Sequence, residues 1–409
     1  MNLNSRTVLL GLTLAVMLIA SGCGYQYHCS NFNGPSCYSN SSTGGSGGTG
    51  GTGTGGTGGT GGTGGATYVD LMYYLGVGGT TLNADYLDTN GVFAALTTAS
   101  FPTLPAGASE DMLIVNKQFL YIPFTLSSGG GVIEAFQIDP STAQLTAISG
   151  NPFSTATANC NGLASDPQGR FLYCVDNSNG DIAAFTVDSS TGALTVVAGS
   201  PFQAFQSNTK LGQPSNLAVD GTGTHLFAAP GIFAFNIDQT TGALSIVTGS
   251  PFFLHSVKIQ GEPTGQYLLG VDGLVAHQGT NNLYVMPIQQ GALTGENLFS
   301  TTYSPFSLAV HPNGQFVYTF AMQSTSTAAP VEAFQFTGGV PTPLAASPFT
   351  SFPGMQNGKF NQAGTNFFAT TGAYAFIQLS VDPATGLMTQ NGQPITTLTT
   401  QFFAVTDTQ

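Results

Sequence analysis

Side chains able to do chemistry are scarce in this 409-residue chain, and the scarcity narrows what it can catalyse or bind. Five histidines occur, His28, His225, His255, His277 and His311, with Lys and Arg totalling six. One pairing has a chemical logic. His255 beside Glu110 or Asp111 would be a general base with its orienting carboxylate, provided the fold brings these distant residues together. Lys258 and Lys359 add cations, and Asn159, Asn161, Ser215, Asn216, Asn357 and Gln401 add neutral hydrogen-bonding groups that could line the same site. Phosphate-cradling loops, zinc-ligand spacings and a serine nucleophile elbow are missing. No metal and no cofactor is therefore expected.

Charge excludes one class of partner. Six cations against 19 acids give a net charge of −13, and six scattered Lys and Arg cannot match a phosphate backbone. Nucleic acid is excluded, and anionic substrates are disfavoured unless a local cation holds them. Only 6% of residues are charged, Gly numbers 55 and Trp is absent. Such a composition, with Thr, Val, Phe and Tyr between Gly, Asn, Asp and Pro, suits short strands and many turns.

The N-terminus reads as an address followed by a tether. Arg6 precedes a 13-residue apolar run, Val8 to Ala20, that is short for a permanent membrane span. The run ends in Ile19-Ala20-Ser21-Gly22-Cys23, which resembles the lipobox of bacterial lipoproteins, with Ala20 where Leu is commoner. The resemblance implies a signal peptide over 1–22, a lipid on Cys23, and an exported protein held in the cell envelope at the outer membrane or cell surface. Residues 23–66 form the tether. From Ser41 to Ala66 they are almost all Gly, Thr and Ser, which bury too little apolar surface to fold and would hold the next domain roughly 25–30 Å from the membrane. With Cys23 consumed, Cys29, Cys37, Cys160 and Cys174 are disulfide candidates in an oxidising compartment. Cys29 and Cys37 could close a small loop. Cys160 and Cys174 flank the turn Asp166-Pro167-Gln168-Gly169, and the folded hairpin places them nearly opposite each other.

The elements that must position the candidate site follow from an internal repeat over residues 67–409. Phe185 to Leu194 and Phe235 to Leu244 are near copies. Apolar anchors fall at Phe93, Leu145, Leu194, Leu244, Leu293, Val340 and Leu387, separated by 52, 49, 50, 49, 47 and 47 residues. A second marker follows each: Ser100-Phe101-Pro102, Asn151-Pro152-Phe153, Ser200-Pro201-Phe202, Ser250-Pro251-Phe252, Ser304-Pro305-Phe306, Ser347-Pro348-Phe349 and Gln393-Pro394-Ile395. Each proline is expected to end a fourth strand. In the fourth unit the strands are read as Asn216 to Val219, His225 to Ala229, Ile232 to Ile237 and Leu244 to Val247. Asp188, Asp238 and Asp382 should close the third strands by accepting nearby backbone N–H groups. Four-stranded sheets with two apolar faces must stack around an axis, so the fold class is all-β, a seven-bladed β-propeller with four antiparallel strands per blade. Phe171, Tyr173, Leu226 and Phe227 would fill the spaces between blades. The first unit lacks its first strand, and Gln401 to Val405 matches the missing pattern. The C-terminal strand should complete blade one as its innermost strand. His311 aligns with the turn residues Asp166 and Asp220 and is expected to be solvated.

The sequence "DPxGRFLY" at Asp166 to Tyr173 and "TGALT" at Thr191 to Thr195 resembles the lactonase-type seven-bladed propellers, which include bacterial 6-phosphogluconolactonase. The resemblance implies chemistry at the central channel mouth, with His, Arg and Glu on innermost strands. Here Asn159-Cys160-Asn161 stands where those enzymes carry histidines, and Arg170, the one arginine after Arg6, sits in a turn away from the mouth. Aligning the innermost strands brings Glu110, Asp111, Asn159, Asn161, Ser215, Asn216, His255, Lys258, Asn357, Lys359 and Gln401 to that mouth. With the enzymes' arginines and histidines depleted, the sequence favours a monomeric, non-catalytic module that binds a glycan, a peptide or an envelope protein. A lactone hydrolase using His255 is the alternative.

Overall fold

Short apolar strands separated by Gly-, Asp- and Pro-containing turns build every element of this chain. The computed structural model of the protein describes residues 68–76, 79–97, 101–109, 111–203, 215–252, 256, 258–272, 281–321, 330–350, 352, 355–371, 375–396 and 399–408, with backbone alone at 356, 396 and 399–401. The lipobox, the tether, Cys23, Cys29, Cys37, Glu110 and His255 lie outside the described residues.

Seven antiparallel sheets form a ring, the seven-bladed β-propeller expected from the repeat. Blade four shows the unit: Asn216–Val219, His225–Ala229, Phe233–Ile237 and Leu244–Ile246, paired in chain order from the axis outward. The inner strands of blades two to seven are Leu113–Val115, Gly162–Ser165, Asn216–Val219, Lys258–Gly261, Pro305–Val310 and Met355–Phe360, each beside the next. Blade one takes its inner strand from the far end of the chain. Thr399–Asp407 pairs antiparallel with Tyr68–Gly76, placing Val405 against Met72 and Phe403 against Tyr74. The expected closure is therefore present.

Among the described residues the core is divided into seven apolar clusters, one between each pair of neighbouring blades. Phe171 and Tyr173 face Leu226 across the space between blades three and four, whereas Phe227 packs toward blade five. Tyrosines latch blade to blade through hydroxyls that donate to turn carbonyls of the next blade: Tyr73 to Ala143 O (3.1 Å), Tyr121 to Gly192 O (2.7 Å), Tyr173 to Gly242 O (3.1 Å) and Tyr318 to Gly386 O (2.8 Å). Those turns need positive φ, +71° at Gly192, and a Cβ on Gly192 would stand 2.4 Å from the Phe119 ring. The turn carboxylates act as expected. Asp188 and Asp238 each accept two backbone N–H bonds, from Ser190 and Thr191 and from Thr240 and Thr241. Cys160 and Cys174 form a disulfide joining the approach to blade three's inner strand to its second strand.

Four of the proline markers share one role. The side chain before the proline accepts a third-strand N–H: Asn151 from Ala135, Ser200 from Ala184, Ser250 from Ala234 and Ser347 from Ala333. Two markers depart from the expected place. Pro305 opens the inner strand of blade six, and Pro394 lies inside the long outer strand Met388–Thr396. Two anchors are also corrected. Val340 and Leu387 are 51% and 41% exposed, and the buried positions are their neighbours Pro341 and Met388.

Candidate functional site

Every inner strand ends in a polar turn residue, and these fix the register of the axial channel. Asp166, Asp220, Glu262, His311 and Asn361 fold back over their own turns. Asp166 accepts the Arg170 N–H at 2.6 Å, Glu262 that of Gln266 at 2.6 Å, and Asn361 that of Asn366 at 3.0 Å. His311 belongs to this set but is not solvated; it is 1% exposed. Its Nδ1 accepts from Asn313 N (3.1 Å) and its Nε2 donates to Gly364 O (2.9 Å). Burial holds its pKa below the usual imidazole value, so the ring is neutral and structural. His225 pairs its Nδ1 with Asp220 Oδ2 at 2.7 Å and packs on the Gly291 turn.

Two residues before the turn residue, three inner strands carry alanine: Ala164, Ala218 and Ala309. They help line a cavity of about 800 Å³ along the axis. Blades five and seven break the pattern at this step with Gln260 and Lys359. Of the candidates read from sequence, Asp111, Asn161, Ser215, Asn216, Lys258, Asn357 and Lys359 line this cavity. Asn159 does not. It lies in the approach to blade three, where the buried Asp176 carboxylate accepts its N–H at 3.1 Å. Gln401 is on the closing strand, and its side chain is outside the described residues.

The chemistry concentrates around one ion pair. Lys359 Nζ reaches past blade one's inner strand to blade two, donating to Met112 O at 3.0 Å and standing 3.7 Å from Asp111 Oδ1. It also lies 5.9 Å above the Phe403 ring. Asp111 is anchored on both oxygens, accepting from Met112 N and Leu163 N at 2.8 Å each. Asn216 Oδ1 and Gln260 Oε1 accept in the same way from the next inner strand, at Ile259 N (2.8 Å) and Val310 N (3.1 Å). Cavity-lining polar groups thus also tie inner strands together. Sequence reasoning missed Gln260, Ser307, Phe402 and Phe403 in the lining. For two of them a signal was available: Gln260 sits two residues before Glu262, at the step of Ala164 and Ala218, and Ser307 four before His311, at the step of Asn216. Arg170 is bonded to Asp166 and Gln239 away from this cavity. Among the described residues no group of three or more His, Cys, Asp or Glu could hold a metal ion.

Comparison with known proteins bears on the scaffold. The family described as lactonase, seven-bladed β-propeller, matches over residues 119–230. Among solved structures, a candidate 6-phosphogluconolactonase from Bacteroides uniformis is similar with a TM-score of 0.65 and 15% identity, covering 83% of this chain and 99% of its own. The periplasmic gluconolactonase of Pseudomonas aeruginosa gives 0.60 and 14%, covering 82% and 98%. At these identities the likeness is one of fold. No curated protein sequence matches the chain.

Proposed function

Starting from a lactonase-type seven-bladed scaffold, we propose that this protein hydrolyses a lactone in the axial cavity. The observation that carries the proposal is the Lys359–Asp111 pair set in a cavity of about 800 Å³ walled by amides and hydroxyls. A polyhydroxy lactone would find hydrogen-bonding partners there in Asn161, Ser215, Asn216 and Asn357. The Lys359 ammonium has donors beyond the one given to Met112 O, and these can stabilise the oxyanion that forms when water attacks the ring carbonyl. Asp111 would receive the water proton. The ring C–O bond then breaks, the leaving alkoxide takes that proton back from Asp111, and the open hydroxy acid is released.

The test is turnover of a panel of sugar and aliphatic lactones, followed by product NMR, with Lys359→Met and Asp111→Asn. The expected result is activity that falls at least ~100-fold in Lys359→Met, the scale of losing one oxyanion donor. Activity untouched by both changes would remove this site.

A second reading, a binding module without catalysis, is favoured by one observation. Both Asp111 oxygens already accept backbone N–H groups, so lone pairs that a general base would offer to water are occupied. Absence of turnover together with calorimetric binding of a glycan or peptide would select it. In either reading we place the propeller in the cell envelope, tethered through a lipid on Cys23.

A further inference from the structure

We propose that the seam between blades seven and one is an acid-tightened closure, sealed when Asp70 and Asp85 are protonated and loosened when they ionise. This seam flanks blade one, where the two chain ends of the ring pair, and its apolar cluster is the smallest of the seven. Among the described residues six buried apolar side chains meet there, Met72, Tyr74, Leu87, Phe368, Phe376 and Phe403, against seventeen between blades one and two. Polar groups fill the rest.

Asp70, Met72 and Tyr74 alternate along one strand toward blade seven, and Asp85 stands opposite Met72 on the next strand. From blade seven, Asn366, Phe368 and Gln378 face them. Asp85 is fully buried. Its Oδ1 accepts the Tyr74 hydroxyl at 3.1 Å, while its Oδ2 has no partner. Gln378 donates to Asn366 Oδ1 at 2.8 Å and leaves its own Oε1 without a donor. Two acceptor oxygens without donors on the facing sides of one seam call for a proton, which a carboxylic acid carries and a carboxylate does not.

Asp70 has a different difficulty. Its oxygens accept from Asn361 (3.0 Å) and Asn366 (2.7 Å), but it lies directly across the ladder from Asp407. Asp407 accepts from Gln362 N and Ala363 N and is ion-paired with Lys117 of blade two at 3.3 Å. The titratable and charged groups around the two acids are therefore Tyr74, Asp407, Lys117 and, above Phe403, Lys359. Burial pushes Asp85 up to about 7, with the Tyr74 hydrogen bond opposing. Burial, aided by Asp407 against the two asparagines, pushes Asp70 up to about 6.

The sign follows. Both pKa values are raised in the closed state, so the closed seam holds protons that an open seam releases. Its stability is fully present below about pH 4, the ordinary carboxylate range, and is lost as pH rises through 6 to 7. The strand that would loosen carries Phe402 and Phe403, which line the axial cavity, so the seam sets how firmly one wall of that cavity is held.

The experiment is hydrogen exchange with mass spectrometry on the full chain at pH 5 and pH 8, corrected for intrinsic exchange. Peptides spanning 68–76 and 399–407 are compared with peptides from the space between blades three and four. Protection of the seam peptides should fall at least ~10-fold more than that of the controls between the two pH values. Asp85→Asn and Asp70→Asn should each flatten this difference. Should Asp85→Asn fail to fold, Asp70→Asn decides: its amide carries no charge at pH 8, so its seam must lose less protection between pH 5 and pH 8 than the wild type. Seam peptides that track the controls, or variants that keep the wild-type pH slope, would overturn the proposal.

Discussion

Phe403 tests ring closure in a single side chain. It is 1% exposed, packs edge-on to Phe376 with ring centroids 5.3 Å apart, and lies under the Lys359 ammonium. Truncation of a buried phenylalanine to alanine costs about 3–5 kcal/mol, part of it the lost aromatic pair. The described propeller runs from residue 68 to residue 408. At about 2 cal/mol/K of unfolding entropy per residue, a propeller of this size shifts its melting temperature by roughly 1.4 °C per kcal/mol. Phe403→Ala should therefore melt about 4–7 °C lower. With no tryptophan in the chain, calorimetry or far-UV circular dichroism is the assay. Val196→Ala, at a residue 53% exposed on an outer strand, is the control and should move by less than 1 °C. A Phe403→Ala melt within 1 °C of the control would mean that the C-terminal strand does not bury this ring in the seam, and the closure argument would fail with it.

Two further changes probe the repeat. Gly192→Ala meets both a left-handed backbone and the Phe119 ring, whereas Gly338→Ala, at φ +57°, meets open space. Urea titration should show a loss of about 1 kcal/mol at Gly338 and clearly more at Gly192, and equal losses would deny the close approach. Tyr173→Phe removes the hydroxyl that donates to Gly242 O. It should cost about 1–2 kcal/mol in the same titration, since the carbonyl keeps no replacement for a buried bond.

The scaffold was legible because the repeat writes the same physical requirements seven times. The strands of the fourth unit lie within one residue of where the sequence placed them, and the closing strand pairs as its pattern requires. The two anchor errors share a cause. Anchors were read by residue type, yet the structure sets them by offset from the turn: the buried position is two residues after the glycine with positive φ. That gives Leu194 after Gly192 and Leu244 after Gly242, but Met388 after Gly386 and Pro341 after Gly339. A slip of one residue reverses the face, which is why Leu387 and Val340 point outward. His311 was aligned correctly and placed in the wrong surroundings, because the turn residues are covered by the neighbouring blade's turn, as its bond to Gly364 shows.

The site was harder to read for a reason that the repeat itself supplies. Residues that keep the unit constant hold blades together, whereas a site on a symmetric ring has to break the symmetry. The breaks are visible once the turn residues fix the register. The step occupied by Ala164, Ala218 and Ala309 in three blades holds Gln260 and Lys359 in two others, and the step of Asn216, Ser307 and Asn357 holds Lys258 in blade five. Four Lys and Arg fall among the described residues, and two of them, Lys258 and Lys359, occupy these departures. A chain that is −13 overall and sparing of cations has set both where other blades carry small or neutral side chains. Lys359 also ties blade seven to blade two through Met112 O and Asp111, so the fold itself uses that cation. The lactone hydrolysis proposed above would give both cations a further use, meeting the negative charge that an ester carbonyl develops under attack by water.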